Sequence, residues 1–226
     1  LSAELLLELK DKCENKTISA EDVKAMNAII SDLVPMMQKI AEHGKRADSI
    51  VKGMLLHARA GAGERLPTDI NALADEYLKL SYHGFRARDK SFNITMQTEY
   101  DSTIPPLNVV PQDMSRVFMN LITNGCYSAY EKKKELGDSF SPEIKITTRN
   151  LNDRIEIRIR DNGKGVPPGV VKKIFSPFFT TKPVGEGTGL GLSLSYDIIV
   201  NGHGGELKFE TKENEFAEFI ILLPKK

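Results

Sequence analysis

Apolar residues fall at three- and four-residue steps through the first quarter of the chain. Leu5, Leu6 and Leu9 share one face, which predicts a helix over Leu1–Glu14. "ENKT" interrupts it. Ser19 then opens "SAED", an N-cap with acids in the first turn, and helical patterning runs from Ala20 to about Ala60. Pro35 is expected to kink or break that helix. After it, Ile40, Ala47, Ile50, Val51, Met54 and Ala58 form a seam of the kind that packs on other helices. "GAGERLP", Gly61–Pro67, reads as a linker and places a boundary between a helical segment, 1–65, and a second domain, 66–226.

The second domain alternates differently. Thr68 or Asp69 caps a helix reaching roughly Tyr82, and "FNITMQTEY" (Phe92–Tyr100) reads as a strand. Pro111 opens a helix that keeps its period to Leu136. "EIKITTRN" and "RIEIRIR" are strands joined near Asn152–Asp153. Ile155, Ile157 and Ile159 point one way and charged residues the other. "GLSLSYDIIVNG" is helical and stops at Gly202; "ELKFE" and "EFAEFIILL" form a terminal hairpin. Strands and helices do not alternate regularly. The expected fold is therefore α+β: a mixed or antiparallel sheet with helices on one face, preceded by the helical segment.

Charge narrows the partners. The chain carries 31 basic and 31 acidic side chains, so nothing favours nucleic acid or an acidic membrane. The run "EKKKEL" (Glu131–Leu136) reads as a solvated helix end. Cys13 and Cys126 have no metal-site spacing and fit a reducing cytoplasm. No apolar run approaches the ~20 residues of a bilayer span. The chain begins at Leu1 without Met and reads as a fragment of something longer.

Four segments carry candidate chemistry. In "EGTGLGLSL" the glycines Gly187, Gly189 and Gly191 precede a helix, whose free N–H groups suit an anion. Neither G-x-x-x-x-G-K-[ST] nor G-x-G-x-x-G fits them. Close helix–sheet packing is the alternative use for these glycines. "DNGKGV", Asp161–Val166, puts a carboxylate at a strand end, able to accept from an exocyclic amine, with Gly163 and Gly165 leaving room for a flat base. An Asp-Asn-Gly turn is its plain reading. Asn120 and Asn124 share a helix face with Arg116 and need polar partners there, either a neighbouring loop or Mg²⁺ with a triphosphate. "IFSPFFTTKPVGEG" joins an apolar anchor (Phe175, Phe178, Phe179) to a tail carrying Lys182. It reads as a lid or as a long surface loop.

Taken in order, Asn124 with its helix, "DNGKGV", "FSPFFTTK" and "GTGLGL" resemble the N, G1, F and G2 boxes of sensor histidine kinases, members of the GHKL ATPase superfamily. The resemblance covers about Leu66–Leu223, and Asp48–Arg59 resembles the second helix of the kinase dimerisation domain. It implies a GHKL-type sandwich binding ATP and Mg²⁺. Asp161 would hold the adenine amine, with Gly163, Gly165 and Val166 shaping the base pocket. Asn124 would ligate Mg²⁺ beside Asn120. Gly187, Thr188, Gly189, Leu190, Gly191 and Leu192 would surround the phosphates. Phe175 and Thr181 belong to the lid, and Lys182 would close it over the γ-phosphate. Many relatives carry Lys where this chain has Tyr127.

The resemblance also implies a cytoplasmic homodimer through the helical segment, with a response-regulator receiver domain as phosphate recipient. GHKL enzymes that hydrolyse ATP place a Glu general base where this chain has Asn120, and an amide cannot accept that proton. A kinase is therefore favoured over a hydrolase; a nucleotide-sensing module without catalysis is a further alternative. The family acceptor lies in H-E-x-x-N/T-P. His43, His57, His83 and His203 all lack that context, so the acceptor is expected upstream of Leu1.

Overall fold

Ser19 starts the first long helix by a reciprocal cap. Its hydroxyl accepts from the Asp22 N–H at 3.2 Å, and Asp22 accepts from the Ser19 N–H at 2.9 Å. Helix α1 then runs Ala20–Ala58, and Pro35 lies inside it without ending it. The structure, a computed structural model, describes residues 7, 10, 11, 19–58, 63–183 and 187–225, apart from the side chains of 45, 46, 48–50 and 52–58. The expected helix over Leu1–Glu14 falls almost wholly outside the described residues, as does the start of the linker. The chain divides into two units: Leu1–Val51 with Lys182–Gly187, and Lys52–Thr181 with Thr188–Lys226.

In the first unit, Val23, Ile30, Val34 and Met37 are spaced by seven, four and three. They are 48%, 51%, 50% and 63% exposed. Apolar residues at heptad spacing form a seam that is stable only when covered.

The second unit is built on one sheet. Its strands are β2 (Thr95–Glu99), β4 (Glu143–Asn150), β5 (Arg154–Asp161), β6 (Glu206–Lys212) and β7 (Phe216–Pro224), in the order β2-β4-β5-β7-β6. β2 pairs parallel with β4 and every other pair is antiparallel, the mixed sheet that the patterning predicts. β1 (Leu66–Thr68) and β3 (Leu107–Val109) make a separate two-stranded ribbon. Both lie outside the predicted strands because three residues are too few to establish a period of two.

Helices α2 (Ile70–Arg88) and α3 (Pro111–Leu136) pack on each other, and α3 also packs on the sheet. Asp69 caps α2 by accepting from the Ala72 N–H at 3.0 Å. Thr68 instead closes the ribbon. The helix runs on to Arg88, six residues past the expected end, and in those last turns Phe85 is half-buried and stacks on Phe92. Phe92 itself belongs to the core; the strand after it begins only at Thr95. α4 (Gly191–Tyr196) continues into a π-helical turn, Asp197–Gly202.

Alternation in β5 sorts the sheet faces. Ile155, Ile157 and Ile159 are buried under the helices. The opposite face carries ion pairs: Arg158 reaches Glu156 at 2.9 Å and Glu218 at 3.0 Å. Those pairs cover the face well enough to bury Ile220 and the two carboxylates. A charged groove of about 420 Å³ opens there, lined among others by Glu99, Lys145, Arg160 and Glu210. None of the residues assigned to nucleotide lines it.

Candidate nucleotide site

Helix α3 is the floor of the site. Its positions 120, 124, 128 and 132 are four apart and form one stripe. At 1.5 Å per residue, Asn120 and Ser128 stand about 12 Å apart along the helix.

At one end of the stripe lies the glycine turn. The Asn120 Nδ2 donates to the Gly191 carbonyl at 3.2 Å and reaches the Ser195 Oγ at 3.4 Å. This ties the first turn of α4 to α3. The helix starts at Gly191, where "GLSLSYDIIVNG" begins, because Gly189 takes φ 68° and Leu190 then closes the first turn onto Leu194. A Cβ on Gly189 would collide with the Phe178 backbone, so the lid anchor and the glycine turn are packed together. Leu190 is buried, and Leu192 and Phe175 pack against the core; Phe175 also meets the Tyr196 ring at 5.5 Å. Thr188 is exposed, and its hydroxyl accepts from the Leu190 N–H at 3.3 Å. Thr181 is exposed as well. Lys182 and Gly187 belong to the first unit.

At the other end lies Asp161, 5% exposed, at the last position of β5. A Cβ built on Gly125 would lie 3.2 Å from the Asp161 Cβ, so a side chain there would push strand and helix apart by a few tenths of an ångström. The Asp161 Oδ1 accepts from the Gly163 N–H at 2.9 Å, and the Ser128 hydroxyl bonds to the same carboxylate. Burial nevertheless dominates and pushes the carboxyl up to about 7; the Gly163 and Ser128 hydrogen bonds and the charges of Lys132 and Arg160 oppose that. The neighbouring Cys126 thiol is raised to about 12, by burial first and then by the Asp161 charge.

Between the two ends, Asn124 and Tyr127 are half-buried on α3. Val166 donates its N–H to the Thr211 Oγ1 at 2.9 Å, docking the "DNGKGV" loop on the terminal hairpin; Gly165 lies in the same loop, against the Lys212 backbone. The structure thus brings Asp161, Gly163, Asn120 and Gly189–Leu192 to one face of one helix. Among the described residues no group of three or more His, Cys, Asp or Glu side chains could hold a metal by itself. A divalent ion here would need phosphate oxygens and water besides the Asn124 amide.

Sequence reasoning missed Gly125, Ser128, Lys132 and Thr211. Ser128 and Lys132 follow the Asn120/Asn124 stripe and could have been found by extending it, and Gly125 is the residue beside Asn124. Thr211 sits on a different element, and no local pattern points to it. Lys132 also corrects the expectation that "EKKKEL" is solvated throughout. Its ammonium donates to three backbone carbonyls, of Asn162, Gly163 and Asn214.

Comparison with known proteins places the chain in a family. Residues 109–226 match the family described as histidine kinase-, DNA gyrase B-, and HSP90-like ATPase. The sensory histidine kinase/phosphatase NtrB of Rhizobium meliloti (strain 1021) is 30% identical over 192 residues, 82% of this chain and 48% of that protein. The chain spans about half the length of such curated relatives. The catalytic domain of histidine kinase ThkA is 31% identical with a TM-score of 0.52, covering 67% of this chain and 91% of that one. Full-length ShkA, solved in complex with AMPPNP, shares the fold at 22% identity with a TM-score of 0.62, over 93% of this chain and 40% of its own. The chain belongs to the histidine kinase-, DNA gyrase B- and HSP90-like ATPase family, and its relatives there are sensor histidine kinases.

Proposed function

We propose that this chain is the ATP-binding catalytic part of a two-component sensor histidine kinase. The observation that carries the reading is the convergence of Asp161 and the Gly189–Gly191 turn on the α3 face that bears Asn124. Asp161 accepts the adenine amine, and Gly163 and Val166 border the base. The turn before α4 offers N–H groups to the phosphates, and Thr181 belongs to the segment that follows the Phe178 anchor. Asn124 would supply an amide oxygen to Mg²⁺, and the ion would offset charge on the phosphates. Asn120 positions rather than reacts: its amide holds the first turn of α4.

The acceptor is a histidine other than the four in this chain. His203 has both ring nitrogens engaged: Nε2 accepts from the Val110 N–H at 3.0 Å, and Nδ1 donates to the Ile198 carbonyl at 2.8 Å. His83 lies edge-on to Tyr82, His43 is exposed and is followed by Gly44 and Lys45, and His57 is followed by Ala58 and Arg59. An imidazole nitrogen from another segment attacks the γ-phosphorus, and ADP leaves with the β–γ bridging oxygen. The phosphoryl group then passes to a receiver domain. The exposed seam of α1 suits a homodimer, and the buried free thiol of Cys126 suits the cytoplasm. No helix among the described residues is long and apolar enough to cross a membrane.

Labelled ATP tests the reading when a helix bearing H-E-x-x-N/T-P is supplied in trans. Acid-labile phosphate on the added helix is expected, with none on this chain. Steady phosphate release without an acceptor would mean an ATPase instead. Nucleotide binding with no transfer would mean a sensing module.

A further inference from the structure

Lys132 sits two turns beyond Asn124 on the same stripe of α3. Its Nζ lies 2.9 Å from the Asn162 carbonyl, 3.1 Å from the Gly163 carbonyl and 2.7 Å from the Asn214 carbonyl. An ammonium has three donors, and here each has a backbone acceptor. The same nitrogen stands 4.6 Å from the centroid of the Phe140 ring. The charge is therefore committed inside the protein and is not offered to phosphate.

The three carbonyls are not arbitrary. The Asn162 C=O and the Gly163 N–H belong to one rigid peptide plane. Lys132 holds its oxygen end, and Asp161 Oδ1 holds its N–H end at 2.9 Å. The next plane is pinned in the same way: Lys132 holds the Gly163 oxygen, and the Lys164 N–H donates to the Ser128 Oγ at 3.0 Å. Ser128 in turn bonds to the Asp161 carboxylate. The third carbonyl brings in the terminal hairpin, whose Asn214 N–H also donates to the Lys164 carbonyl at 2.7 Å.

We propose that Lys132 is a positioning residue for nucleotide: by fixing two successive peptide planes from behind, it aims the Asp161 carboxylate at the purine amine. The inference rests on the nucleotide reading of the site. Lys132 is also one of the two cations, with Arg160, whose charge favours ionised Asp161. Cys126 and Lys132 of α3 and Arg160 of β5 are the titratable groups that act on Asp161, while its cross-strand partners on β4 and β7 are Ile144 and Ala217. Loss of the Lys132 charge therefore makes Asp161 harder to ionise, and nucleotide binding should need a higher pH.

The experiment is calorimetric titration of ATP with Mg²⁺ between about pH 6 and about pH 8, a range spanning the Asp161 midpoint. Wild type is compared with Lys132→Met, Lys132→Gln and Lys132→Arg. Lys132→Met should weaken binding about tenfold at neutral pH, the loss of one charge-assisted anchor, and move the midpoint of binding upward. Lys132→Arg should return the midpoint towards wild type. Lys132→Gln keeps amide donors without charge, so its midpoint decides the matter if the methionine variant does not fold. Wild-type affinity and midpoint in the folded uncharged variants would overturn the inference while leaving the nucleotide reading intact. Failure of wild type to bind ATP would remove both.

Discussion

At the residue scale, Asp161 is held in a state that costs stability. Its carboxyl is raised in the folded protein from 3.8 to about 7. The sign follows from linkage: the protonated form is favoured by folding, so this contribution is complete below about pH 4 and lost as pH rises through about 7. At 1.36 kcal/mol per unit the loss is on the order of 4 kcal/mol. Asp161→Asn should therefore flatten the decline in melting temperature over that window, leaving the variant more stable than wild type above neutrality. A variant that melts with the wild-type pH slope would contradict the burial argument. The same substitution should cost ~1.5–3 kcal/mol of ATP affinity, since it removes a charge-assisted acceptor. His203 shows the reverse balance. It satisfies the buried Val110 N–H, so His203→Ala should lower unfolding stability by ~1–3 kcal/mol in urea titrations without removing an acceptor of phosphate.

At the scale of elements, legibility in the sequence follows length and period. Long patterned elements declare themselves: α3 opens at Pro111 and ends at Leu136, and β4 spans Glu143–Asn150, both as the patterning predicts. What the patterning misses has particular causes. β1 and β3 are held by pairing with each other, a long-range fact that three residues do not encode. α2 outlasts its expected end because Phe85 finds Phe92. Pro35 does not end α1, although its ring removes a donor from the ladder. Much of the site was legible because motif order constrains it. Thr211 behind it was not, because it lies on a different element and meets the site only through the Val166 N–H. The seam of α1 yields its own prediction. Ile30→Asp should drive the protein towards monomer in sedimentation, since a covered Ile contributes about 1.5–3 kcal/mol per protomer. An unchanged oligomer would mean that another face makes the contact.

At the scale of the whole molecule, one helix organises the candidate site. α3 carries the Asn120/Asn124 pair in its middle, receives Asp161 over Gly125, and clamps the loop behind Asp161 through Ser128 and Lys132. The sheet's other face is occupied by ion pairs and takes no part. The most direct measurement is calorimetric titration of ATP and GTP, each with Mg²⁺, into wild type and Asp161→Asn at about pH 8, where Asp161 is ionised. An ionised carboxylate accepts from the adenine amine and repels the carbonyl that guanine presents at that position. ATP should bind wild type, while GTP and the Asn variant should show little or no heat. Equal binding of the two nucleotides, or undiminished ATP affinity in Asp161→Asn, would contradict the account.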